Sequence, residues 1–121
     1  MKFPADLSYS KSHEWVKDLG NGLYEIGLTD FAQKELGDIV YVNLPEAGDE
    51  LKAETSFADV ESVKAVSDII SPLNGTVIEV NEAVVSSPDL INKAPYESWL
   101  IRAEGSIGET LLSAEEYEKI L

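Results

Sequence analysis

The sequence predicts a mainly β domain: an antiparallel sandwich or small barrel of short strands, with short helices as trim. Three observations carry this prediction. Short extended segments recur along the chain, closely separated by turn signals. Asn-Gly, which tolerates positive φ at both positions, occurs at Asn21-Gly22 and again at Asn74-Gly75. Ile39 to Leu44 is nearly all apolar and reads as a strand buried on both faces.

In chain order, Asn21-Gly22 reads as a hairpin turn leading into Leu23 to Leu28, where Tyr24, Ile26 and Leu28 alternate with Glu25 and Gly27. Asp30-Phe31-Ala32-Gln33 has the form of a capping box, and Gly37 is placed to end the helix it starts. After the apolar strand, Pro45-Glu46-Ala47-Gly48 turns the chain. Val60, Val63 and Val66 favour extended backbone, and Pro72 with Asn74-Gly75 closes that segment before a strand over Thr76 to Val80. Ser87-Pro88-Asp89 puts a cap residue before a proline at the first helical position. Trp99 to Glu104 alternates Trp99, Ile101 and Ala103 against Leu100, Arg102 and Glu104. Ser113-Ala114-Glu115-Glu116 is a second capping box, leading to Tyr117, Ile120 and Leu121 on one helix face, with Glu115 and Lys119 spaced for a weak ion pair. Trp15 and Trp99 read as core anchors. No linker, repeat or low-complexity tract interrupts the chain, so one domain over residues 1–121 is expected.

Composition narrows the function classes. With 121 residues, 44% of them apolar, the chain can bury one core without staples. Cysteine is absent, which removes disulfides, thiol nucleophiles and zinc-thiolate sites; any redox chemistry needs a carrier from outside the twenty side chains. The net charge of −14, from 23 acids against 9 bases, repels phosphate backbones and counts against nucleic acid. It suits a monomer that docks on basic partner surfaces. No apolar run approaches membrane-spanning length, and the first residues lack a signal core, so a cytoplasmic protein without membrane contact is expected. His13 is the only histidine, and no metal-binding spacing or nucleophile elbow is present. Gly20-Asn21-Gly22 fails the dinucleotide fingerprint at its third glycine. No self-sufficient active site is legible, so a non-catalytic protein is expected.

Lys64 is the most informative residue. It is the only lysine or arginine between Lys52 and Lys93, set in Asp59-Val60-Glu61-Ser62-Val63-Lys64-Ala65-Val66-Ser67-Asp68. Lysines among acids are mostly solvated surface residues. A lysine held out on an extended segment is also a handle, a flexible stem ending in an amine that can be acylated with loss of its charge.

The surrounding blocks decide between these readings, because they resemble the glycine cleavage system H proteins, a family of lipoyl carriers. Ser12-His13-Glu14-Trp15-Val16 is similar to the family's N-terminal signature. Ile26-Gly27-Leu28-Thr29-Asp30-Phe31-Ala32-Gln33 and Leu36-Gly37-Asp38-Ile39-Val40-Tyr41-Val42 resemble its central block, and Glu61-Ser62-Val63-Lys64-Ala65 its lipoylation site. Pro88-Asp89-Leu90-Ile91-Asn92, Pro95-Tyr96 and Tyr117-Glu118-Lys119 resemble later blocks. The family usually has Pro-Tyr, two residues, then Gly-Trp. Pro95-Tyr96-Glu97-Ser98-Trp99 is one residue shorter and lacks the glycine, so a reshaped loop is expected there.

The resemblance implies a barrel-sandwich hybrid, a flattened β-barrel, with Lys64 at a hairpin tip and a C-terminal helix. It implies lipoate in amide linkage to Lys64, attached by a lipoate ligase or lipoyl transferase that reads Glu61 and the hairpin shape. It implies three further partners: a pyridoxal-phosphate glycine decarboxylase that loads an aminomethyl group, a tetrahydrofolate-dependent aminomethyltransferase that removes it, and a flavin dihydrolipoyl dehydrogenase. The loaded arm is expected to fold into a cleft near Ser12, Glu14 and Asp68. A biotin carrier is disfavoured, because Val63 and Ala65 rather than methionines flank Lys64. A lipoate relay that donates its lipoyl group to 2-oxoacid dehydrogenase subunits would use the same Lys64. An unmodified interaction module with an acidic face is a third possibility.

Overall fold

The computed structural model describes residues 1–121. The chain runs β1 (Ser8–Tyr9), β2 (Glu14–Gly20), β3 (Leu23–Leu28), α1 (Asp30–Leu36), β4 (Ile39–Asn43), β5 (Glu50–Leu51), β6 (Ser56–Ser62), β7 (Val66–Ile70), β8 (Leu73–Val80), α2 (Glu82–Ser86), α3 (Leu90–Lys93), β9 (Ile101–Ile107) and α4 (Ala114–Lys119). One sheet has six strands in the order β1-β2-β3-β9-β8-β5, and the other has three, β4-β6-β7. Every pairing is antiparallel. The expected mainly β architecture with trimming helices is what forms.

The inward faces of the two sheets make the core. Val42, Val60, Ala58 and Ile69 of the small sheet pack with Leu28, Val84, Ile91 and Leu100. Ile26, Leu51, Leu73, Val77, Ile101 and Ala103 fill the large sheet's side, and Phe57 touches both groups. Successive residues Leu100 and Ile101 thus enter different clusters, which the alternation at β9 could not show. A third cluster joins Leu7, Tyr9 and Trp15 to Tyr117, tying the N-terminal strands to α4. Tyr9 and Tyr117 stack at 4.8 Å between ring centroids.

Asn21-Gly22 forms the expected hairpin turn, with φ of 55° and 75°. Asn74-Gly75 does not turn; it lies inside β8. Gly75 pairs with Gly105, where a Cβ would sit 2.0 Å from the Glu104 carbonyl oxygen, so the glycine serves a close strand approach. The reversal before β8 falls at Ser71-Pro72, where the Ser71 hydroxyl accepts from the Leu73 N–H.

β4 is not buried on both faces. A bulge between Ile39 and Tyr41 breaks the alternation and leaves Val40 and Tyr41 in solvent. The N-cap of α1 is Thr29, one residue before the expected Asp30; its hydroxyl accepts from the Ala32 N–H, while Asp30 accepts from the Gln33 side chain. Gly37 ends α1 as expected, at φ 76°. α2, capped by Asn81, was not anticipated, and α3 starts at Leu90, after Ser87-Pro88-Asp89. The capping box of α4 forms in full between Ser113 and Glu116. Trp15 is a core anchor at 1% exposure, but Trp99 is only half-buried, with the Arg102 guanidinium 4.0 Å above its ring.

Candidate functional site

Val63-Lys64-Ala65 links β6 to β7, so Lys64 stands exposed at a hairpin tip. No Gly, Asn, Asp or Pro makes this turn. Ser62 does, because its hydroxyl accepts from the N–H groups of Lys64 (3.3 Å) and Ala65 (3.1 Å) while the Ser62 N–H donates to the Ala65 carbonyl (2.8 Å). The Val63 N–H donates to the Asp38 carbonyl at 3.0 Å, which pins the tip to the α1–β4 link. Glu61 is exposed beside it, opposite Tyr41 on one side and Val66 on the other.

The same hairpin borders a cleft of about 340 Å³. Ser67, Asp68 and Ile69 of β7 form one side with Val60, Phe31, Ala32, Glu35 and Leu36 of α1 form another with Leu28, and Ser12, His13 and Glu14 form the end. The structure places Ser12, Glu14 and Asp68 on the lining of one cleft. Lys64 and Glu61 lie outside the cleft, at the tip above it.

Glu14 is 1% exposed. Its Oε1 accepts from the hydroxyls of Ser10 (2.6 Å) and Ser12 (2.5 Å), and its Oε2 from the Ile70 N–H (3.3 Å). Burial pushes its carboxyl up to about 7, against these hydrogen bonds, which favour the charged form. The cleft therefore ends in a carboxyl group poised at neutral pH and already surrounded by donors. Asp68 is placed differently. Register pairs it with Asp59, on the face opposite the core, so it reaches the cleft at its rim.

Sequence reasoning missed Ser10, Ser67 and the α1 wall, and set His13 aside. His13 lines the cleft at φ 76°, its ring tilted against the Phe31 ring at 4.7 Å between centroids. Its Nδ1 lies 2.7 Å from the Tyr117 hydroxyl, which also lies 2.8 Å from the Thr29 hydroxyl. Burial lowers the His13 pKa from its ordinary 6.5, against a smaller upward pull from Glu35, and so favours the neutral ring. The signal for Ser67 was available, since period-two counting along β7 puts it on the same face as Ile69, and the register sets it opposite Val60. No sequence signal connects Tyr117 to the cleft, because that contact spans 104 residues.

The shortened Pro95–Trp99 segment is locked by its own contacts. The Ser98 hydroxyl donates to the Leu90 carbonyl at 2.9 Å, Trp15 Nε1 donates to the Pro95 carbonyl at 3.0 Å, and the Tyr96 hydroxyl bridges the Lys2 carbonyl and the Asp30 N–H. No group of His, Cys, Asp and Glu side chains in the structure has the arrangement of a metal site. No helix is long and apolar enough to cross a membrane.

Comparison with known proteins agrees with this geometry. The family model "Glycine cleavage H-protein" matches residues 7–121. The chain is 51% identical over 125 residues to the glycine cleavage system H protein of Bacillus licheniformis, covering 100% of this chain and 98% of that one. It is 54% identical over 122 residues to the H protein of Carboxydothermus hydrogenoformans, covering 98% and 93%. The crystal structure of a glycine cleavage system H protein from Mycobacterium marinum superposes with a TM-score of 0.91 at 39% identity, covering 97% of each chain. The two open sheets are thus the barrel-sandwich hybrid expected from the motifs. With a matched family model over nearly its whole length and relatives at half identity, the chain belongs to the glycine cleavage H-protein family.

Proposed function

We propose that the chain, acting as one domain over residues 1–121, is the lipoyl carrier of a glycine cleavage system, with lipoate held as an amide on the Nζ of Lys64. The observation that carries this is the pairing of one exposed hairpin-tip lysine with a half-apolar cleft bordered by the same hairpin. The residues fit the group. Leu28, Phe31, Ala32, Leu36, Val60 and Ile69 offer an apolar lining for a saturated acyl chain, and Glu14, Ser12 and Asp68 offer oxygens at the end and rim. When bound, lipoate supplies the exchangeable disulfide that no side chain of this cysteine-free protein can supply.

The chain's own residues do the rest. Ser62 and the Asp38 carbonyl hold the tip so that Lys64 projects into solvent. Glu14 presents a carboxyl that a cationic amine would draw into its ionised form. Phe31, Ala32 and Leu36 of α1 give the cleft an apolar wall on one side. In this reading the protein carries cargo and does not catalyse. Its partners are the glycine decarboxylase, the aminomethyltransferase, the dihydrolipoyl dehydrogenase and an enzyme that attaches lipoate, and the cytoplasm is the compartment implied.

The test is incubation with lipoate, ATP and a lipoate ligase, followed by intact-mass and peptide mass spectrometry. One lipoyl group on Lys64 is expected, and none on Lys64→Arg, which keeps the charge but offers no acylable amine. Lipoyl on another lysine, or on none, sinks the reading.

A further inference from the structure

The chain has asparagine at positions 21, 43, 74, 81 and 92, and two of these, Asn21 and Asn74, precede glycine. The fold treats the two dipeptides differently. Asn74-Gly75 lies inside β8, where Gly75 is paired with Gly105 on one side and Leu51 on the other. The Asn74 side-chain carbonyl accepts from the Ala53 N–H at 3.0 Å. The other side-chain amides are also held: Asn43 donates to the Asp59 carboxylate, Asn81 to the Trp99 carbonyl and Asn92 to the Gly37 carbonyl. Asn21 differs from all of them. It is exposed at the tip of the β2–β3 hairpin at φ 55°, and its side-chain amide forms no hydrogen bond. The Gly22 carbonyl accepts from the Gly105 N–H at 2.9 Å, but the Gly22 N–H donates to nothing.

We infer that Asn21-Gly22 is a self-modification site of the folded chain, where the asparagine amide is lost and an aspartyl or isoaspartyl residue takes its place, while strand pairing protects Asn74-Gly75. In the first step the Gly22 backbone nitrogen attacks Cγ of Asn21. A new C–N bond closes a cyclic imide, the bond to the side-chain nitrogen breaks, and ammonia leaves with the proton of the Gly22 N–H. Water then opens the imide at either carbonyl. One opening gives aspartate. The other gives isoaspartate, whose side-chain carbon has entered the backbone. No oxidant, reductant or enzyme is required. Glycine has no Cβ to crowd the attack. The hairpin tip can flex without opening the sheet, and neither the attacking nitrogen nor the leaving amide is tied down. At Asn74 the same attack must first part β8 from its neighbours. Either product adds one carboxylate, taking the net charge from −14 to −15 (−14 − 1), close to Asp18, which already accepts from the Gly20 N–H at 2.8 Å. Isoaspartate also lengthens a turn built for two residues. It therefore loosens the hairpin at the end where its register already shifts, between Asp18 and Gly20.

The experiment holds the full-length chain in warm, mildly alkaline buffer, folded and in guanidinium, and follows both dipeptides by peptide mass spectrometry. Isoaspartate is read separately, by methyl transfer from an isoaspartyl-specific carboxyl methyltransferase. In the folded chain Asn21 should convert at least about tenfold faster than Asn74, which reacts only when its strands open. In guanidinium the two rates should converge. Asn21→Gln cannot close the same ring and should abolish the fast conversion; the wild-type map decides alone if that variant folds poorly. The isoaspartyl fraction, separated by anion exchange, should unfold at a lower urea midpoint than fresh protein. Asn74 keeping pace with Asn21 in the folded chain, or the same ratio of rates folded and denatured, would overturn the protection by strand pairing. An intact Asn21 in the folded chain, over a time in which the denatured chain converts it, would overturn the site itself. An unchanged midpoint for the isoaspartyl fraction would overturn the loosening of the hairpin. None of these measurements depends on acylation of Lys64.

Discussion

Glu14 is pulled in two directions. Enclosure favours its neutral form, and three donors favour its charge; enclosure wins, moving the carboxyl from its ordinary 4.5 to about 7. Glu109 adds a smaller push in the same direction, and His13 and Glu35 share the cleft walls. The linkage follows directly. Between 4.5 and 7 the folded state holds a proton that the unfolded chain has released, so stability falls as pH rises through that window. A shift of this size corresponds to at most roughly 3 kcal/mol. Glu14→Gln keeps the shape and cannot titrate. It should flatten that fall, giving a chain less stable than or equal to the wild type near pH 4.5 and more stable above pH 7. His13, depressed by burial, contributes the opposite slope below its ordinary 6.5, in both proteins alike. Urea midpoints of the two proteins across this range check the claim; parallel profiles would show that Glu14 is not the titrating group. The type and place of this residue were legible in Ser12-His13-Glu14-Trp15. Its poise was not, because it depends on Ser10 and on the Ile70 N–H of a strand 56 residues away.

At the scale of elements, turn residues were legible where glycine needs positive φ and misleading where glycine makes room. Asn21-Gly22 turned the chain; the same dipeptide at 74–75 lies in a strand because Gly105 opposes it. The Lys64 hairpin escaped turn rules because a serine hydroxyl, not the loop residues, makes it. The bulge in β4, invisible in an apolar run, is what exposes Val40 and Tyr41. The capping box of α4 was plain, yet what α4 does was not. Its Tyr117 hydroxyl lies between His13, on the link that carries Ser12 and leads into Glu14 of β2, and Thr29, the cap of the α1 wall. One hydroxyl thus joins two sides of the cleft. Tyr117→Phe keeps the ring stacked on Tyr9 and removes only that link. It leaves a buried threonine hydroxyl short of a partner and should destabilise the chain by about 1–2 kcal/mol. The His13 ring should also lose its fixed tautomer, read as altered imidazole nitrogen shifts by NMR. Loss of stability with unchanged shifts would make Tyr117 a packing residue only.

For the whole molecule, charge is the dominant property, and its distribution says more than its sum. Several of the 9 bases are already engaged locally: Lys93 with Asp89, Arg102 with Glu25 and Glu79, Lys119 with Glu115. On the proposed function, acylation would remove Lys64 as a cation and leave the tip one unit more negative, on a chain already at −14. Encounter with the proposed partners should then be accelerated by the field wherever their docking surfaces are basic, with the KM for the acylated protein in a glycine decarboxylase assay expected to rise several-fold from low to physiological salt. The field is also local. At physiological ionic strength charges separated by more than about 8 Å are largely screened, so a reversal matters according to its distance from the docked surface. Asp59→Lys, on the outer face below Lys64, should raise KM and flatten its salt dependence. Glu104→Lys makes the same change of net charge at an exposed position on β9 of the other sheet and should do much less. Equal effects from the two reversals would mean that net charge alone steers the encounter. No effect from salt or from either reversal would mean that shape and apolar contact at Tyr41, Val63 and Val66 select the partners by themselves.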